Sequence, residues 1–172
     1  ALQAMEDTED LRDVMKVCIE RSYSMSRFIT NFADVVKIPE PQTEEVCLND
    51  RVIACKRFME NVCQNRNISL RLELCEENPV VNIDTSLFEQ VIINIIKNSA
   101  ESIGEAGEII IRTSASPSML EIGDTGQGIS KDVEAKLFSP FFSTKPNGQG
   151  IGLIFTREVL MKHHCTFSLR TY

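Results

Sequence analysis

Three blocks rich in glycine and asparagine follow one another in the second half of this chain and constrain it more than any other feature. The first, residues 89–100, is a run of helical character with Asn94 and Asn98 four positions apart. The second, residues 124–129, is a turn after an apolar strand, and the third, residues 145–153, is a glycine loop that leads into a helix. A helix that offers polar groups and two loops with little side chain predict a nucleotide pocket.

The glycine spacing excludes the two commonest nucleotide-binding motifs. A P-loop reads GxxxxGK followed by serine or threonine, and no stretch of this chain does. A Rossmann turn needs GxGxxG directly after a first strand, whereas the glycines of residues 148–152 alternate and no βαβ unit follows them. The blocks therefore predict a different way of holding ATP.

Composition narrows the possible partners. The chain has 172 residues and a formal net charge of −7, which argues against a general nucleic-acid surface, because such a surface is normally basic. It has no run of about 18 apolar residues, so we expect no direct membrane contact from it. The length suits one domain with a substantial core, or one domain with an appended element.

The six cysteines form no CxxC pair, and most have apolar neighbours. We expect reduced, buried thiols rather than a disulfide framework or a zinc site. This predicts a cytoplasmic location, which is compatible with membrane anchoring of a longer parent protein. The cysteines are Cys18, Cys47, Cys55, Cys63, Cys75 and Cys165.

The N-terminal segment has the pattern of one long helix over residues 8–37. Its apolar residues follow an a/d heptad interrupted at Arg21, and a second apolar line widens the stripe. A stripe of this width suits a helical bundle, with a helix packed on its own domain as the alternative. A proline linker ends the helix, so the predicted domains are 1–38, 39–43 (linker) and 44–172.

Beyond the linker, strand and helix patterns alternate. Helices are predicted over 50–65 (capped by Asn49), about 84–104 (begun by Asp84), 131–137 and 150–163. Strands are predicted over 46–48, 67–75, 80–83, 108–113, 119–122 and 165–171, with a loop at 139–149. Helices on one face of a mixed sheet predict an α/β sandwich of two layers.

Asn94 and Asn98 lie one helical turn apart and project from one face of the first block. Asparagine is costly when buried without partners, so two of them on a face of valine and isoleucine need a reason. Their neutral carboxamide oxygens can ligate Mg²⁺ beside a triphosphate without adding charge. The alternative is a pair of solvated or capping asparagines, which the downstream glycine blocks disfavour.

Asp124 follows an apolar strand and precedes two alternating glycines, Gly126 and Gly128. A buried carboxylate would accept a hydrogen bond from the exocyclic amine of adenine and would reject a carbonyl there. The glycines would let the backbone close on the base and sugar. The alternative is a plain hairpin turn, which only the order of the blocks disfavours.

In the third block, Gly148, Gly150 and Gly152 precede a helix whose N-terminal amides could seat phosphate oxygens. Lys145, just upstream, could reach the γ-phosphate as a point charge. Three phenylalanines are expected to pack this lid on apolar surface, with ordinary core packing as the alternative for all three: Phe138, Phe141 and Phe142.

The chain contains two histidines, His163 and His164, at the end of the last predicted helix. Adjacent helical residues point about 100° apart, so the two would not easily share one metal ion. Cations suit a helix C-terminus, and this explanation is sufficient. Neither histidine is predicted to be catalytic.

Together the blocks resemble the N, G1, F and G2 boxes of the GHKL ATPase superfamily, and specifically the sensor histidine kinases of two-component systems. The resemblance rests on Asn94 and Asn98, on residues 124–128 (DTGQG) and on residues 148–153 (GQGIGL), and it covers essentially the whole chain. The short lid that begins at Phe141 looks like that of nitrogen-sensor kinases. The resemblance implies the Bergerat ATP-binding fold, an α/β (α+β) two-layer sandwich, preceded by one long helix of a dimerisation and phosphotransfer bundle.

The resemblance also implies a site that binds ATP and Mg²⁺. It makes Asn98 the metal ligand, sets Asn94 beside the phosphates and gives Asp124 the adenine amine. Asn94, Asn98 and Lys145 would be the catalytic residues. The residues that it assigns to nucleotide binding are Asn94, Asn98, Asp124, Gly126, Gly128, Ile129, Thr144, Lys145, Gly148, Gly150, Ile151, Gly152 and Leu153.

Three features depart from the family pattern. Glu101 stands where many members have a lysine, so Lys145 becomes the better candidate for that phosphate contact. No histidine stands in the His-acid-x-x-x-Pro setting of the phosphate acceptor, and the chain stops at Tyr172, where relatives continue into one more strand. We therefore expect a fragment that binds nucleotide without phosphorylating itself.

The resemblance implies a protein histidine kinase module that transfers the γ-phosphoryl group of ATP to a histidine, for relay to an aspartate on a response regulator. The implied partners are a receiver domain, the phosphotransfer histidine on the missing bundle helix and a second copy of the full-length protein, with no nucleic acid. Two alternatives stay open. One is another GHKL protein kinase, directed at serine, and the other is a degenerate nucleotide-binding module kept for signalling.

Overall fold

The computed structural model describes residues 12–23, 26, 38–139, 142–143 and 150–171. Its contacts divide the chain into two compact units, Ala1–Ile38 and Pro39–Tyr172. No helix among the described residues is both long and apolar enough to cross a membrane.

In the first unit, residues 12–23 form helix α1, and residue 26 is helical as well. Apolar side chains of α1 are open to solvent: Val14, Met15 and Ile19 are each more than half exposed. The rest of the helix predicted over 8–37 lies outside the described residues.

In the second unit, strands and helices alternate along the chain. The strands are β1 (Glu44–Cys47), β2 (Ile68–Glu73), β3 (Val80–Ile83), β4 (Gly107–Ala115) and β5 (Ser118–Asp124). The helices are α2 (Leu48–Gln64), α3 (Thr85–Ile103), α4 (Lys131–Glu134) and α5 (Gly152–Lys162). The predicted elements are confirmed to within a few residues, except for one helix cap and the last strand.

The strands form two sheets. The smaller pairs β1 with β3 in antiparallel fashion. In the larger, β4 is central, parallel to β2 with Ile68 opposite Gly107 and antiparallel to β5 with Ile109 opposite Asp124. A parallel pair needs a long crossover, which β3 and α3 provide, whereas the turn at 116–117 joins β4 directly to β5.

Side-chain alternation gives the larger sheet one apolar face. Ile109 and Ile111 of β4 are fully buried on one face of the sheet. Arg112, which follows Ile111, lies on the other face, where it forms ion pairs with Glu73 and Glu121. Helices α2 and α3 cover the apolar face, and their side chains join its residues in one hydrophobic cluster. Helices on one face of a mixed sheet confirm the predicted two-layer α/β sandwich.

The ends of α3 are set by local sequence. Asp84 is the N-cap, and its Oδ1 accepts a hydrogen bond from the Leu87 amide at 3.1 Å. Its Oδ2 accepts a second from the Gln42 amide at 2.9 Å. Gly104 follows the last helical residue. Both ends of the helix that carries the first block are therefore as predicted.

Asn49 does not cap α2, and that prediction is wrong. The helix begins at Leu48 after the N-cap residue Cys47, so Asn49 lies inside its first turn and is buried. Its side chain donates to the Cys75 carbonyl and accepts from the Thr113 hydroxyl. A buried asparagine must satisfy its polar atoms, and here it does so with residues distant in sequence, which spacing cannot reveal.

The prediction of a last strand over 165–171 is also wrong, because these residues form no strand. Their apolar and polar residues alternate, but a strand also needs a neighbour for its backbone groups. The segment instead makes side-chain contacts. The Thr171 hydroxyl accepts from the Ile129 amide at 2.9 Å, and Phe167 packs edge-on against Phe138.

The six cysteines are unpaired, and their burial is uneven. Cys55 and Cys63 are buried as predicted, whereas Cys18 is exposed and the other three are partly exposed. Burial raises the pKa of Cys55 to about 12, with the Glu89 charge raising it and the Arg51 charge lowering it. The prediction of buried thiols is therefore wrong for the remaining four, because apolar neighbours in sequence do not fix where a side chain points.

Candidate functional site

Three polar side chains share one side of α3 on successive turns: Asn94, Asn98 and Ser102. Each is half-buried, whereas Ile92 and Ile96 of the same helix lie in the core. The two asparagines were predicted to share a face. Ser102 was not singled out, although it continues their four-residue spacing.

Asn94 joins α3 to the start of α5. Its Nδ2 donates to the Gly152 carbonyl oxygen at 2.9 Å and to the Thr156 hydroxyl at 3.0 Å. A carbonyl oxygen only accepts hydrogen bonds, so it must face the nitrogen of the amide rather than its oxygen. Both amide hydrogens of Asn94 are therefore used within the protein.

Gly152 is a glycine because α3 comes very close. A Cβ added to it would lie 2.7 Å from Asn94 Oδ1 and 3.0 Å from Asn94 Nδ2. Non-bonded atoms do not approach a Cβ so closely without a shift of one of them. The glycine of the third block thus lets the Asn94 side chain reach the α5 backbone.

Asp124 ends β5 and is exposed, so the expectation of a buried carboxylate is wrong: the residue lies at the end of an edge strand, beyond the apolar core. Its Oδ1 accepts a hydrogen bond from the Gly126 amide at 2.8 Å. A Cβ added to Gly126 would lie 2.7 Å from that same oxygen and 2.3 Å from Ser102 Oγ. Asp124 and Ser102 therefore flank Gly126, and the second block touches the last turn of α3.

Thr125 fixes the backbone directly after Asp124. Its amide donates to the Glu108 carbonyl oxygen at 3.1 Å, and its hydroxyl accepts from the Glu108 amide at 3.0 Å. These two bonds extend the pairing of β4 and β5 by one residue. The Asp124 carboxylate is thereby held at the edge of a rigid sheet, which suits a group that must read a ligand precisely.

The polar side of α3 therefore connects the two glycine loops. Asn94 contacts Gly152 at the start of α5, Ser102 contacts the loop after β5, and Asn98 lies on the helix between them. The structure brings together residues of all three blocks around one helix face. A group bound there could reach a carboxylate, a carboxamide and the backbone amides of a helix N-terminus.

The first turn of α5 offers backbone amides to such a group. Ile151 is its N-cap, and none of the described side chains caps the helix there. The amides of Gly152 and Leu153 thus have no acceptor within the helix, as at any helix N-terminus. The Ile151 side chain is buried and anchors this turn, while Gly150 before it is partly exposed.

The end of the second block lies beside the C-terminal segment. The Ile129 amide donates to the Thr171 hydroxyl at 2.9 Å, and a Cβ on Gly128 would lie 2.6 Å from the Thr171 methyl group. Thr171 was not singled out from the sequence, and neither was Thr156. A four-residue step from Gly152 along α5 was the only available signal for Thr156.

The lid residues Thr144, Lys145 and Gly148 lie outside the described residues, so their predicted roles stay predictions. Of the phenylalanines expected to pack the lid, Phe141 lies outside as well. Phe138 is half-buried and packs between the Phe167 ring and the Arg157 guanidinium, each 5.8 Å from its centroid.

His163 lies at the far end of α5 from Gly152. Its Nε2 accepts from the Asp84 amide at 2.9 Å, and its Nδ1 lies 2.7 Å from the Val159 carbonyl oxygen. Amides only donate and carbonyls only accept, so these bonds require the neutral imidazole with its hydrogen on Nδ1. The prediction of a cation at this helix end is therefore wrong for His163, which joins α5 to the start of α3.

The sequence of this site matches a known family. Residues 83–171, which contain all three blocks, match the family of histidine kinase-, DNA gyrase B- and HSP90-like ATPases. The signal transduction histidine-protein kinase AtoS of Escherichia coli K12 is 28% identical over 155 residues, which are 88% of this chain and 26% of AtoS. The chain thus spans about a quarter of the length of that relative.

The fold of this chain is also similar to solved structures of histidine kinases. The nucleotide-free catalytic domain of histidine kinase ThkA is 29% identical, with a TM-score of 0.64 over 71% of this chain and 82% of that one. ThkA in complex with the response regulator protein TrrA is 25% identical, with a TM-score of 0.69 over 84% of this chain and 43% of that one. The chain therefore belongs to the family of histidine kinase-, DNA gyrase B- and HSP90-like ATPases, and it contains a catalytic domain of the sensor histidine kinase type with the Bergerat fold.

Proposed function

We propose that this chain binds Mg·ATP on the polar side of α3 and is the kinase module of a sensor histidine kinase. In the full protein, the γ-phosphoryl group would pass from ATP to a histidine imidazole, with ADP as the leaving group, and then to an aspartate on a response regulator. The observation that carries the proposal is the direct connection of both glycine loops through Asn94 and Ser102.

Asp124 is the proposed reader of adenine. The Gly126 amide holds one carboxylate oxygen, which orients the group. An exposed carboxylate at the end of a rigid strand can accept a hydrogen bond from the exocyclic amine of adenine, and it offers no donor to a carbonyl at that position. Gly126 lies close to Ser102, and the absence of a side chain at Gly126 would leave room for the base there. Gly128 and Ile129 would complete the proposed base pocket.

The phosphates would lie toward α5. The amides of its first turn, at Gly152 and Leu153, have no acceptor within the helix and suit phosphate oxygens, and Gly148, Gly150 and Ile151 would shape the loop before it. Thr144 and Lys145 on the lid are the proposed side-chain contacts to the γ-phosphate. Catalysis by such a site would consist mainly of positioning and charge neutralisation.

Asn98 is the proposed Mg²⁺ ligand. Its side-chain oxygen is an uncharged oxygen ligand of the kind that Mg²⁺ binds, and the residue lies on α3 between the two glycine loops. Among the residues that the structure describes, no cluster of three or more His, Cys, Asp or Glu side chains could hold a metal alone. In the proposal the cation would be held jointly by Asn98 and the nucleotide, and when bound it would neutralise phosphate charge.

The phosphate acceptor would be a histidine elsewhere in a longer protein. Both nitrogens of His163 are engaged with the backbone, and His164 is its neighbour at the helix end. We place residues 1–38 in a dimerisation and phosphotransfer bundle, 39–43 in a linker and 44–172 in the catalytic domain. The exposed apolar side chains of α1 support packing against further helices, in a homodimer of the full-length protein.

A receiver domain is the proposed downstream partner, and a cytoplasmic location is proposed with it. The structurally similar ThkA is known in complex with the response regulator protein TrrA. This similarity supports a partner of the same class for the longer protein of which this chain would be part.

The substitution Asp124→Asn tests the nucleotide site. Asparagine keeps an oxygen for the Gly126 amide but turns a donor toward the adenine amine, so we expect Mg·ATP affinity by titration calorimetry to fall roughly 100-fold. Asp132→Asn, an exposed acid on α4, serves as the control and should leave affinity unchanged. Equal affinity of Asp124→Asn and the unsubstituted protein would overturn the proposal.

Transfer is tested with the chain alone and labelled ATP. Because neither histidine has the setting of an acceptor, we expect bound nucleotide but no stable label on the protein. Stable labelling of the isolated chain would contradict the assignment of the acceptor to another segment.

A further inference from the structure

The Thr156 hydroxyl accepts a hydrogen bond from one of the two amide hydrogens of Asn94. Thr156 lies outside the three sequence blocks, which assign it no role. Its side chain is 5% exposed, and its hydroxyl lies 3.0 Å from Asn94 Nδ2. A buried hydroxyl is unfavourable unless it is hydrogen-bonded, and valine would fill the same volume without that requirement. The hydroxyl is therefore explained by its bond to Asn94 rather than by packing.

The bond joins α3 to both ends of the first turn of α5. Thr156 lies one helical turn after Gly152 and on the same side of the helix. A single Asn94 amide thus holds the Gly152 carbonyl at one end of that turn and the Thr156 hydroxyl at the other. Two contacts one turn apart restrict both translation and rotation of the helix start, which one contact would not do.

The same bonds limit what Asn94 can do for a nucleotide. With both amide hydrogens engaged, the side chain keeps only its oxygen, and an oxygen lone pair does not attract phosphate oxygens. Asn94 therefore has no free donor for a phosphate. Its effect on the phosphate end of the site must pass through the position of α5.

We propose that Thr156 is a positioning residue for phosphate binding, acting with Asn94 as one unit. By fixing the first turn of α5 against α3, the pair places the amides of Gly152 and Leu153 at the phosphate end of the site. The inference rests on the proposed function, since it takes Mg·ATP as the ligand. It separates the roles of the two asparagines: Asn98 ligates the cation, and Asn94 positions the helix.

The test compares Thr156→Val, which removes the hydroxyl at constant volume, with Thr156→Ser, which keeps it. Affinities for adenosine, Mg·ADP and Mg·ATP are measured by titration calorimetry. For Thr156→Val we expect adenosine affinity within about twofold of the unsubstituted protein and Mg·ATP affinity lowered roughly tenfold, the size of one hydrogen bond. Thr156→Ser should restore most of the Mg·ATP affinity.

Two results would overturn the inference while leaving the proposed function intact. One is an unchanged ratio of adenosine to Mg·ATP affinity in Thr156→Val, and the other is an equal loss in Thr156→Ser, which would indicate packing. Failure of the unsubstituted protein to bind any adenine nucleotide would instead sink the proposed function, and this inference with it.

A second measurement needs no nucleotide. Amide hydrogen exchange over residues 155–157, whose amides are the first of α5 with acceptors in the helix, should be faster in Thr156→Val than in the unsubstituted protein and Thr156→Ser, with exchange near Lys162 unchanged. Equal exchange over 155–157 in all three proteins would show that the hydroxyl does not fix this turn, and the inference would fall.

Discussion

The carbonyl oxygen of Gly152 accepts a hydrogen bond from the side chain of Asn94 at 2.9 Å, across 58 residues of sequence. This contact joins the middle of α3 to the first residue of α5, and so the first sequence block to the third. It exists because position 152 has no Cβ, which would lie 2.7 Å from Asn94 Oδ1. The conformations of the two blocks are therefore interdependent, although each is regular in itself.

Gly152→Ala should lower the free energy of unfolding by about 1–2 kcal/mol. The added methyl group displaces an Asn94 side chain that cannot move without losing its bonds to Gly152 and Thr156. Urea unfolding with an unchanged m-value measures the loss. Gly123→Ala is the matched control, since a Cβ on Gly123 meets nothing within 4 Å. A loss of the same size in both variants would contradict this account.

His163→Ala should destabilise the domain by about 1–3 kcal/mol. The substitution leaves the Asp84 amide without the acceptor that it has at 2.9 Å and also removes an edge-on contact with the Phe88 ring. His164→Asn provides the comparison, because His164 is exposed and asparagine tolerates its positive φ of 55°. Thermal unfolding that is equally lowered by both substitutions would rule out a specific role for His163.

Asp84→Asn should reveal an acid-dependent part of the stability. Burial raises the pKa of the Asp84 carboxyl, but hydrogen bonds from the Leu87 and Gln42 amides lower it more, so the net shift is downward from 3.8. A lowered folded-state pKa contributes stability above 3.8 that is lost as pH falls through the folded value. Asparagine caps helices about as well as aspartate, so the variant keeps the cap, but its amide nitrogen cannot accept from the Gln42 amide. The variant therefore loses that hydrogen bond at every pH and, in addition, the charge-dependent part of the stability.

The measurement for Asp84→Asn is urea unfolding at pH 7 and at about pH 3. The unsubstituted protein should be more stable than the variant at pH 7, and the difference should shrink at the acidic value. A difference that is constant with pH, or that grows on acidification, would show that the amide donors do not favour the charged carboxylate.

Cys55 should resist alkylation in the folded protein. Burial, with a further contribution from the Glu89 charge, raises the pKa of its thiol to about 12, so the reactive thiolate is scarce at neutral pH. Cys18 is exposed and serves as the internal control. With iodoacetamide at about pH 8, mass spectrometry should find Cys18 modified in native buffer and Cys55 modified only in urea. Modification of both at equal rates in native buffer would disprove the protected position of Cys55.

Local sequence was a sound guide wherever the cause of a structure is local. Asp84 and Gly104 bound α3 as predicted, because an N-cap carboxylate and a C-terminal glycine act on their own helix. The hairpin of β4 and β5 followed from two apolar runs around the turn at 116–117. The face shared by Asn94 and Asn98 followed from the helical period alone.

The same reasoning failed where a side chain's partner is remote. Asn49 was predicted to cap a helix, yet its side-chain amide donates to the Cys75 carbonyl oxygen and accepts from the Thr113 hydroxyl. His163 looked like a cation at a helix end, yet its imidazole accepts from Asp84, 79 positions away. In each case a polar group near a helix end had two possible uses, and burial against another element decided between them.

The order of the three blocks, the limits of α3 and the alternation of β4 were determined by sequence alone, because period and capping depend on neighbours within a few residues. Only the tertiary structure decided that Ser102 and Thr156 belong beside the glycine loops, that both amide hydrogens of Asn94 are used within the protein, and that residues 165–171 form no strand. These depend on which buried donors and acceptors meet across the fold, and a polar atom removed from water takes whichever partner packing brings to it.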